Sequence, residues 1–156
     1  MTKQRCIGAV LLLTACGGGS GASAAKPASS ASGAVRSFME AVADSNLDKM
    51  ASLWGTASGP AAKTKQPPDY QRRVAIMQAY LRNQSFRIIS DVQEQSPDRR
   101  AVQVELKRET CTWNVPFVAL KAAGGSWLVT QVDLAAAGNP ARPCVAPGMA
   151  DSAPQG

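Results

Sequence analysis

Residues 101–134 read AVQVELKRETCTWNVPFVALKAAGGSWLVTQVDL, and this stretch decides the fold. Over residues 102–107 apolar and polar side chains alternate, which is typical of a strand with one buried face. Residues 111–121 form a second run that is apolar on both faces around Pro116. A proline inside a strand predicts an edge position or a bulge. After a glycine turn, residues 127–134 alternate again, so the stretch predicts three strands of an antiparallel meander.

The meander extends upstream, where Phe86, Ile88 and Val92 alternate with polar residues and predict a first strand. Ile89 interrupts that alternation. The sheet is therefore expected to have four antiparallel strands.

Three helices are predicted before the strands, because apolar residues in that part of the chain recur every three or four positions rather than every two. The second helix is expected to begin after Asn46 and the third after Asp69, since both residue types cap helix N-termini. The apolar positions of the three helices are Val35, Phe38, Met39 and Val42; Leu47, Met50, Leu53 and Trp54; and Tyr70, Val74, Met77 and Leu81. Helices followed by strands predict an α+β domain with the helices on one face of the sheet.

The N-terminal residues read MTKQRCIGAVLLLTAC. A basic start at Lys3 and Arg5 and a short apolar run are typical of a secretory signal. The run is too short for a bilayer core, which needs about 20 apolar residues. Leu13-Thr14-Ala15-Cys16 resembles the lipobox of bacterial lipoproteins. The resemblance implies a signal peptide over 1–15, cleavage before Cys16, diacylglyceryl attachment to its thiol and acylation, as with palmitate, of the new amino terminus. Ordinary secretion with Cys16 in a disulfide is the competing interpretation.

The rest of the chain divides by composition. Residues 16–33 are expected to form the lipidated cysteine and a flexible Gly/Ser/Ala tether, residues 34–144 the folded domain, and residues 145–156 a disordered tail. This organisation predicts a periplasm-facing or surface-facing domain anchored in the cell envelope. Gly17 takes the place of the aspartate that retains enterobacterial lipoproteins at the inner membrane. The expected location is therefore the outer membrane, facing the periplasm.

Four cysteines are present. Cys6 lies in the predicted signal peptide, and Cys16 is the predicted site of lipid attachment. This leaves Cys111 and Cys144 as a disulfide pair in an oxidising compartment. Two free thiols are the alternative if the strand geometry holds their Cα atoms too far apart.

The chain is basic, but its lysines and arginines are scattered along the sequence. The chain carries 17 Lys and Arg against 11 Asp and Glu, and loss of Lys3 and Arg5 lowers the net charge from +6 to +4. Nucleic-acid binding requires clustered basic residues with interleaved aromatics, and this pattern is missing. We therefore expect no nucleic-acid partner.

The helices and the last hairpin carry a resemblance to a known superfamily. VRSFMEAV at 35–42, DSNLDKM at 44–50, and GGSWLV at 124–129 leading into VDL at 132–134 resemble the NTF2-like superfamily, which includes SnoaL-type cyclases and ketosteroid isomerases. The resemblance implies a curved sheet wrapped against helices into a cone, an apolar cavity at its open end, and homodimers through the exposed sheet face. A cystatin-like fold would produce much the same order of elements.

Seven side chains are large enough to line or fill such a cavity: Trp54, Tyr70, Met77, Phe86, Trp113, Phe117 and Trp127. Ordinary packing in the core is the alternative for each, because large apolar residues at helical or strand spacing are usually buried.

No catalytic residue, metal or cofactor is predicted. The chain has no histidine, which excludes histidine-based triads and histidine zinc sites. The resembling isomerases use a carboxylate base beside an acidic donor. The residues that could imitate this are Asp91, Glu105, Glu109 and Asp133, with Tyr70 or Tyr80 as donor. Alternation places Glu105 and Asp133 opposite Val104 and Val132, which favours solvated positions.

The predicted function is that of a membrane-anchored, non-catalytic binding or interaction module. Its partner would be an envelope protein or a small apolar ligand. The alternative is an isomerase or cyclase-like enzyme of the NTF2-like superfamily, and a lipoprotein whose pocket has collapsed into core is a third interpretation.

The lipobox interpretation predicts which residue begins the mature chain and that this residue carries lipid. Mass spectrometry of the protein from membranes should find Cys16 as the first residue with acyl chains attached, and Cys16→Ser should abolish both the cleavage and the lipid. A soluble protein that begins elsewhere contradicts the interpretation.

Overall fold

The computed structural model describes residues 26–142 and residue 144. The predicted signal peptide, Cys16 and the predicted tail at 145–156 lie outside the described residues. The helices are α1 (Ala31–Ala43), α2 (Leu47–Leu53), α3 (Ala61–Thr64) and α4 (Tyr70–Leu81), followed late in the chain by a 3₁₀ turn, η1 (Ala135–Ala137). The strands are β1 (Gly55–Thr56), β2 (Gly59–Pro60), β3 (Ser85–Gln93), β4 (Arg99–Arg108), β5 (Cys111–Lys121) and β6 (Trp127–Val132).

The class and the sheet agree with the prediction. β3, β4, β5 and β6 form one antiparallel sheet in chain order, and helices pack on it, so the chain is α+β. In the middle of the sheet Val104 pairs with Ile88 on one side and with Val115 on the other. Side chains that face each other in a ladder lie on the same face, so these three residues share the face that packs on the helices.

Two β-bulges interrupt the ladders. Ile88 pairs with Val104 and Ser90 with Gln103, so Ile89 is an extra residue on β3. This explains why Ile89 interrupts the alternation in the sequence. A second shift leaves Thr130 as the extra residue on β6. Bulges of this kind bend the strand and redirect its side chains.

Pro116 occupies neither of the predicted positions, an edge strand or a bulge. It lies in the central strand β5, opposite Gln103 of β4. Its carbonyl accepts a hydrogen bond of 2.9 Å from the backbone N–H of Asp133, just beyond the end of β6. The nitrogen and the carbonyl of a strand residue point to the same side. The missing N–H therefore faces the place where β6 stops, and little pairing is lost.

The helices number four within the described chain rather than the predicted three. The segment between α2 and α4, where no element was predicted, contains the β1–β2 hairpin and the short helix α3. The hairpin requires a glycine at position 55, because a Cβ there would lie 2.2 Å from the carbonyl oxygen of Gly59.

The helix starts agree in part with the sequence. Asn46 caps α2, as predicted, by accepting a hydrogen bond of 2.9 Å from Lys49 N–H. Asp69 precedes α4 but makes no side-chain cap bond. α1 begins at Ala31 with Ser30 as its cap, earlier than the predicted domain start at residue 34. Ala28 already pairs with Trp127, so the end of the predicted tether belongs to the fold.

The core lies between the sheet and the helices. Phe38 of α1 meets Phe117 of β5 edge to face, with ring centroids 6.4 Å apart and both side chains buried. No polar or charged residue within the described ranges is fully buried. Among these same residues, no helix is long and apolar enough to cross a membrane.

Cys111 and Cys144 form a disulfide with their Cα atoms 5.9 Å apart, which confirms the predicted pair. The bond fastens the C-terminal segment to the start of β5. A closed loop of this length stabilises the folded state by about 3–4 kcal/mol in the chain-entropy model.

Phe38→Ala should lower the free energy of unfolding by about 3–5 kcal/mol, because it leaves a cavity beside Phe117. Denaturant titration measures the change. Leu47→Ala is the control, since Leu47 is 42% exposed, and it should change stability by less than about 0.5 kcal/mol. Equal losses in the two variants would contradict this position of the core.

Candidate functional site

A groove opens between α4 and the end of β6. Its volume is about 510 Å³, which is within the range of small-molecule pockets. Its walls combine apolar side chains with two charged residues at the rim. They are formed by Trp54, Arg73, Ile76, Met77, Pro116, Val118, Thr130, Gln131, Val132, Asp133 and Leu134.

The indole of Trp54 is fixed against β6. Its Nε1–H donates a hydrogen bond of 3.2 Å to the carbonyl oxygen of Thr130, the extra residue of the bulge. The backbone of Trp54 also forms a parallel bridge with Val129. The bulge therefore gives the indole a backbone partner at the groove.

Helix α4 supplies the opposite wall. Arg73, Ile76 and Met77 are spaced by three and four residues, which places them on one side of the helix. Met77 is buried, whereas Ile76 remains 41% exposed. An apolar side chain that is left partly in water at a groove is available to contact a ligand.

Arg73 lies at the rim and pairs with Asp69 one helical turn earlier, with 2.9 Å between Nε and Oδ1. The hydrogen bond from Arg73 lowers the pKa of the Asp69 carboxyl. Both side chains are about half exposed, and exposed ion pairs of this kind contribute little to stability. Arg73 can therefore exchange Asp69 for another anion at small cost.

Asp133 is the carboxylate that lines the groove. Its Oδ1 accepts hydrogen bonds from the backbone N–H groups of Ala135 at 3.1 Å and Ala136 at 3.3 Å, which caps η1. The residue is exposed to solvent. This carboxylate therefore has a structural role at the rim.

The other candidate acids lie outside the groove. Asp91 pairs with Arg100, and Glu105 forms a two-pronged hydrogen bond with Arg87 that lowers the pKa of Glu105. Glu109 lies in the turn after β4. Tyr70 is half-buried at the edge of the core, and Tyr80 does not line the groove.

The structure divides the seven predicted pocket residues. Trp54 and Met77 line the groove, and Phe117 lies in the core. Tyr70, Phe86, Trp113 and Trp127 pack around the core, with Trp127 also beside a separate pocket of about 80 Å³. The sequence analysis did not name Arg73, Ile76, Pro116, Val118 or residues 130–134 as pocket residues, although it considered Asp133 as a candidate acid. Ile76 carried a usable signal for the pocket, as an apolar residue next to the buried stripe of α4.

No family model, curated protein or solved structure matches the chain. The chemistry of the groove is therefore argued from its residues alone. Residues 26–142 contain no group of three His, Cys, Asp or Glu that could hold a metal ion. The groove offers an apolar surface with one cation and one anion at its rim, which suits binding.

Trp54→Phe should lower the free energy of unfolding by about 0.5–1.5 kcal/mol more than Trp127→Phe does, because only Trp54 loses a hydrogen bond. The indole nitrogen of Trp127 makes no hydrogen bond within residues 26–142. Denaturant titration of both variants measures the difference. Losses of the same size would show that the bond to Thr130 adds nothing.

Proposed function

We propose that this chain is a lipid-anchored, non-catalytic binding module of the bacterial cell envelope, and that the groove between α4 and β6 takes a small apolar ligand. The observation that carries the proposal is the groove itself. It combines the volume of a ligand pocket with a fixed indole and a partly exposed isoleucine.

The hydrophobic effect supplies the affinity. Full burial of an isoleucine side chain stabilises an association by about 1.5–3 kcal/mol. Ile76 is the groove residue with the most apolar surface still to bury. The charges of Arg73 and Asp133 at the rim would favour ligands whose polar end stays outside the groove and pairs with one of these charges.

The fold supports the same proposal. Helices packed on one face of an antiparallel sheet agree with an NTF2-like cone, and a groove at the end of the sheet agrees with the open end of such a cone. The isomerase alternative requires a carboxylate enclosed in an apolar cavity. The candidate acids of the described chain are exposed, paired or used as caps, which favours binding over catalysis.

The anchor limits where the ligand can come from. Eleven residues lie between Cys16 and Ala28, which is already paired with Trp127. Covalent geometry limits that span to about 40 Å. A lipid on Cys16 would thus hold the groove near a membrane surface, and Gly17 favours the outer membrane, facing the periplasm. Apolar molecules partition to such a surface.

The test uses the chain from Lys26 onward and the neutral fluorescent probe N-phenyl-1-naphthylamine. Ile76→Glu should weaken probe binding about tenfold or more, since it places a charge on the apolar wall. Ile89→Glu is the matched control, because Ile89 is 43% exposed, almost equal to Ile76, but lies on β3 outside the groove.

Probe affinity should change less than about twofold in Ile89→Glu. Failure of the unmodified protein to bind the probe, or equal weakening in the two variants, would contradict the proposal. Thermal unfolding of both variants shows whether each remains folded.

A further inference from the structure

A second cleft, separate from the groove, lies at the C-terminal end of α4. Its volume is about 460 Å³. Its walls are formed by Ala79 of α4, the following residues Arg82, Asn83 and Gln84, Arg108 of β4, and Pro140 and Ala141. It shares no lining residue with the groove.

The guanidinium of Arg108 is held in place by three neighbours. Its Nη2 donates to the carbonyl oxygens of Tyr80 at 3.3 Å and Ala137 at 2.7 Å. Its Cζ lies 4.8 Å from the centroid of the Trp113 ring, the distance of a cation–π contact. Trp113 is in turn covered by Gly138, where a Cβ would lie 2.6 Å from the indole nitrogen. Arg108 is therefore a preorganised cation.

Arg108 nevertheless has hydrogen-bond donors to spare. A guanidinium carries five N–H donors, and the two carbonyls take those of Nη2. The Nε of Arg108 is buried and finds no hydrogen-bond partner within the described chain. Burial lowers the pKa of Arg108, the charge of Glu109 raises it, and the positive charge of Arg82 lowers it further.

The cleft gathers positive charge without a balancing carboxylate on its walls. Neither Arg82 nor Arg108 takes part in the four ion pairs found among residues 26–142. None of the residues that line the cleft is acidic. Two cations beside each other in a concave site lower the energy of an anion placed between them.

The end of α4 would by itself repel an anion, because carbonyl oxygens point out of a helix C-terminus. Here two of those carbonyls are already covered. Arg108 donates to Tyr80 O, and the amide of Asn83 donates to Leu81 O at 2.9 Å. The local repulsion is thereby reduced. The charged residues that line the cleft are Arg82 and Arg108, whereas Glu109, whose charge acts on Arg108, does not line it.

We infer that this cleft is a phosphate-class oxyanion site, in which Arg108 is the fixed donor and Arg82 the exposed arm that closes on the anion. The guanidinium of Arg82 can match two phosphate oxygens with two parallel hydrogen bonds. Arg108 would donate from Nη1, because its Nη2 is taken by two carbonyls and its Nε is buried. The phosphate could be free inorganic phosphate or the monoester of a lipid headgroup. Both present the same terminal oxygens.

Binding is measured by isothermal titration of the full chain in dodecyl maltoside micelles at constant ionic strength, with inorganic phosphate and with sn-glycerol 3-phosphate as the probes. The unmodified protein should bind at least one of the two. Tighter binding of the monoester would indicate the headgroup source, and tighter binding of inorganic phosphate the free anion.

Arg82→Gln should weaken phosphate binding about tenfold or more, since it removes a charge-assisted partner. Arg82 is exposed, so the variant should fold. Arg36→Gln is the matched control, because Arg36 is an exposed arginine on α1 that forms no ion pair with residues 26–142. It should change affinity less than about twofold.

The absence of phosphate binding in the unmodified protein, or equal weakening in the two variants, would overturn the inference. Arg82→Gln should leave N-phenyl-1-naphthylamine binding unchanged, because Arg82 does not line the groove. Failure of this site and failure of the groove proposal are therefore distinguishable.

Discussion

The pairing of β4 with both of its neighbours is the constraint on which the rest of the structure depends. Val102, Val104 and Leu106 are buried on the face that packs on the helices. Because strand side chains alternate, a shift of one residue would move this whole row into water. The burial of this row therefore sets the register of the sheet. The two bulges, at Ile89 and Thr130, then decide where the edge strands depart from it.

The bulge at Thr130 connects the sheet to the groove. A regular β6 would keep each carbonyl in the repeating pattern of the ladder, whereas the extra residue gives Trp54 an oxygen to bind. The sequence predicted β4, the bounds of β5 and the cap at Asn46, because each depends on local alternation or a local hydrogen bond. It could not predict the bulge at Thr130, since that depends on the partner strand and on a tryptophan far away in sequence.

The site was less predictable than the fold for the same reason. Large side chains were expected either to line a cavity or to pack in the core, and Phe117 packs in the core with Phe38. The groove instead uses Ile76, which looks like a surface residue of α4 when read alone. Pro116 was expected at an edge or a bulge and lies in a central strand, which tolerates it because its missing donor faces the end of β6. In each case the role of the residue depends on the element that lies opposite it in the folded chain.

Helix α4 is the wall that the groove and the second cleft have in common. Arg73, Ile76 and Met77 face the groove, whereas Arg82 borders the cleft just past the last turn of the helix. The surroundings of α4 are held differently at the groove and at the second cleft. The rim of the groove depends on an exposed ion pair that exchanges readily, whereas the cleft is fixed by Arg108, which ties the last turn of α4 to the carbonyl of Ala137. The disulfide fastens the segment beyond Ala137 to β5, so one wall of the second cleft is held covalently, whereas the groove has an adaptable rim.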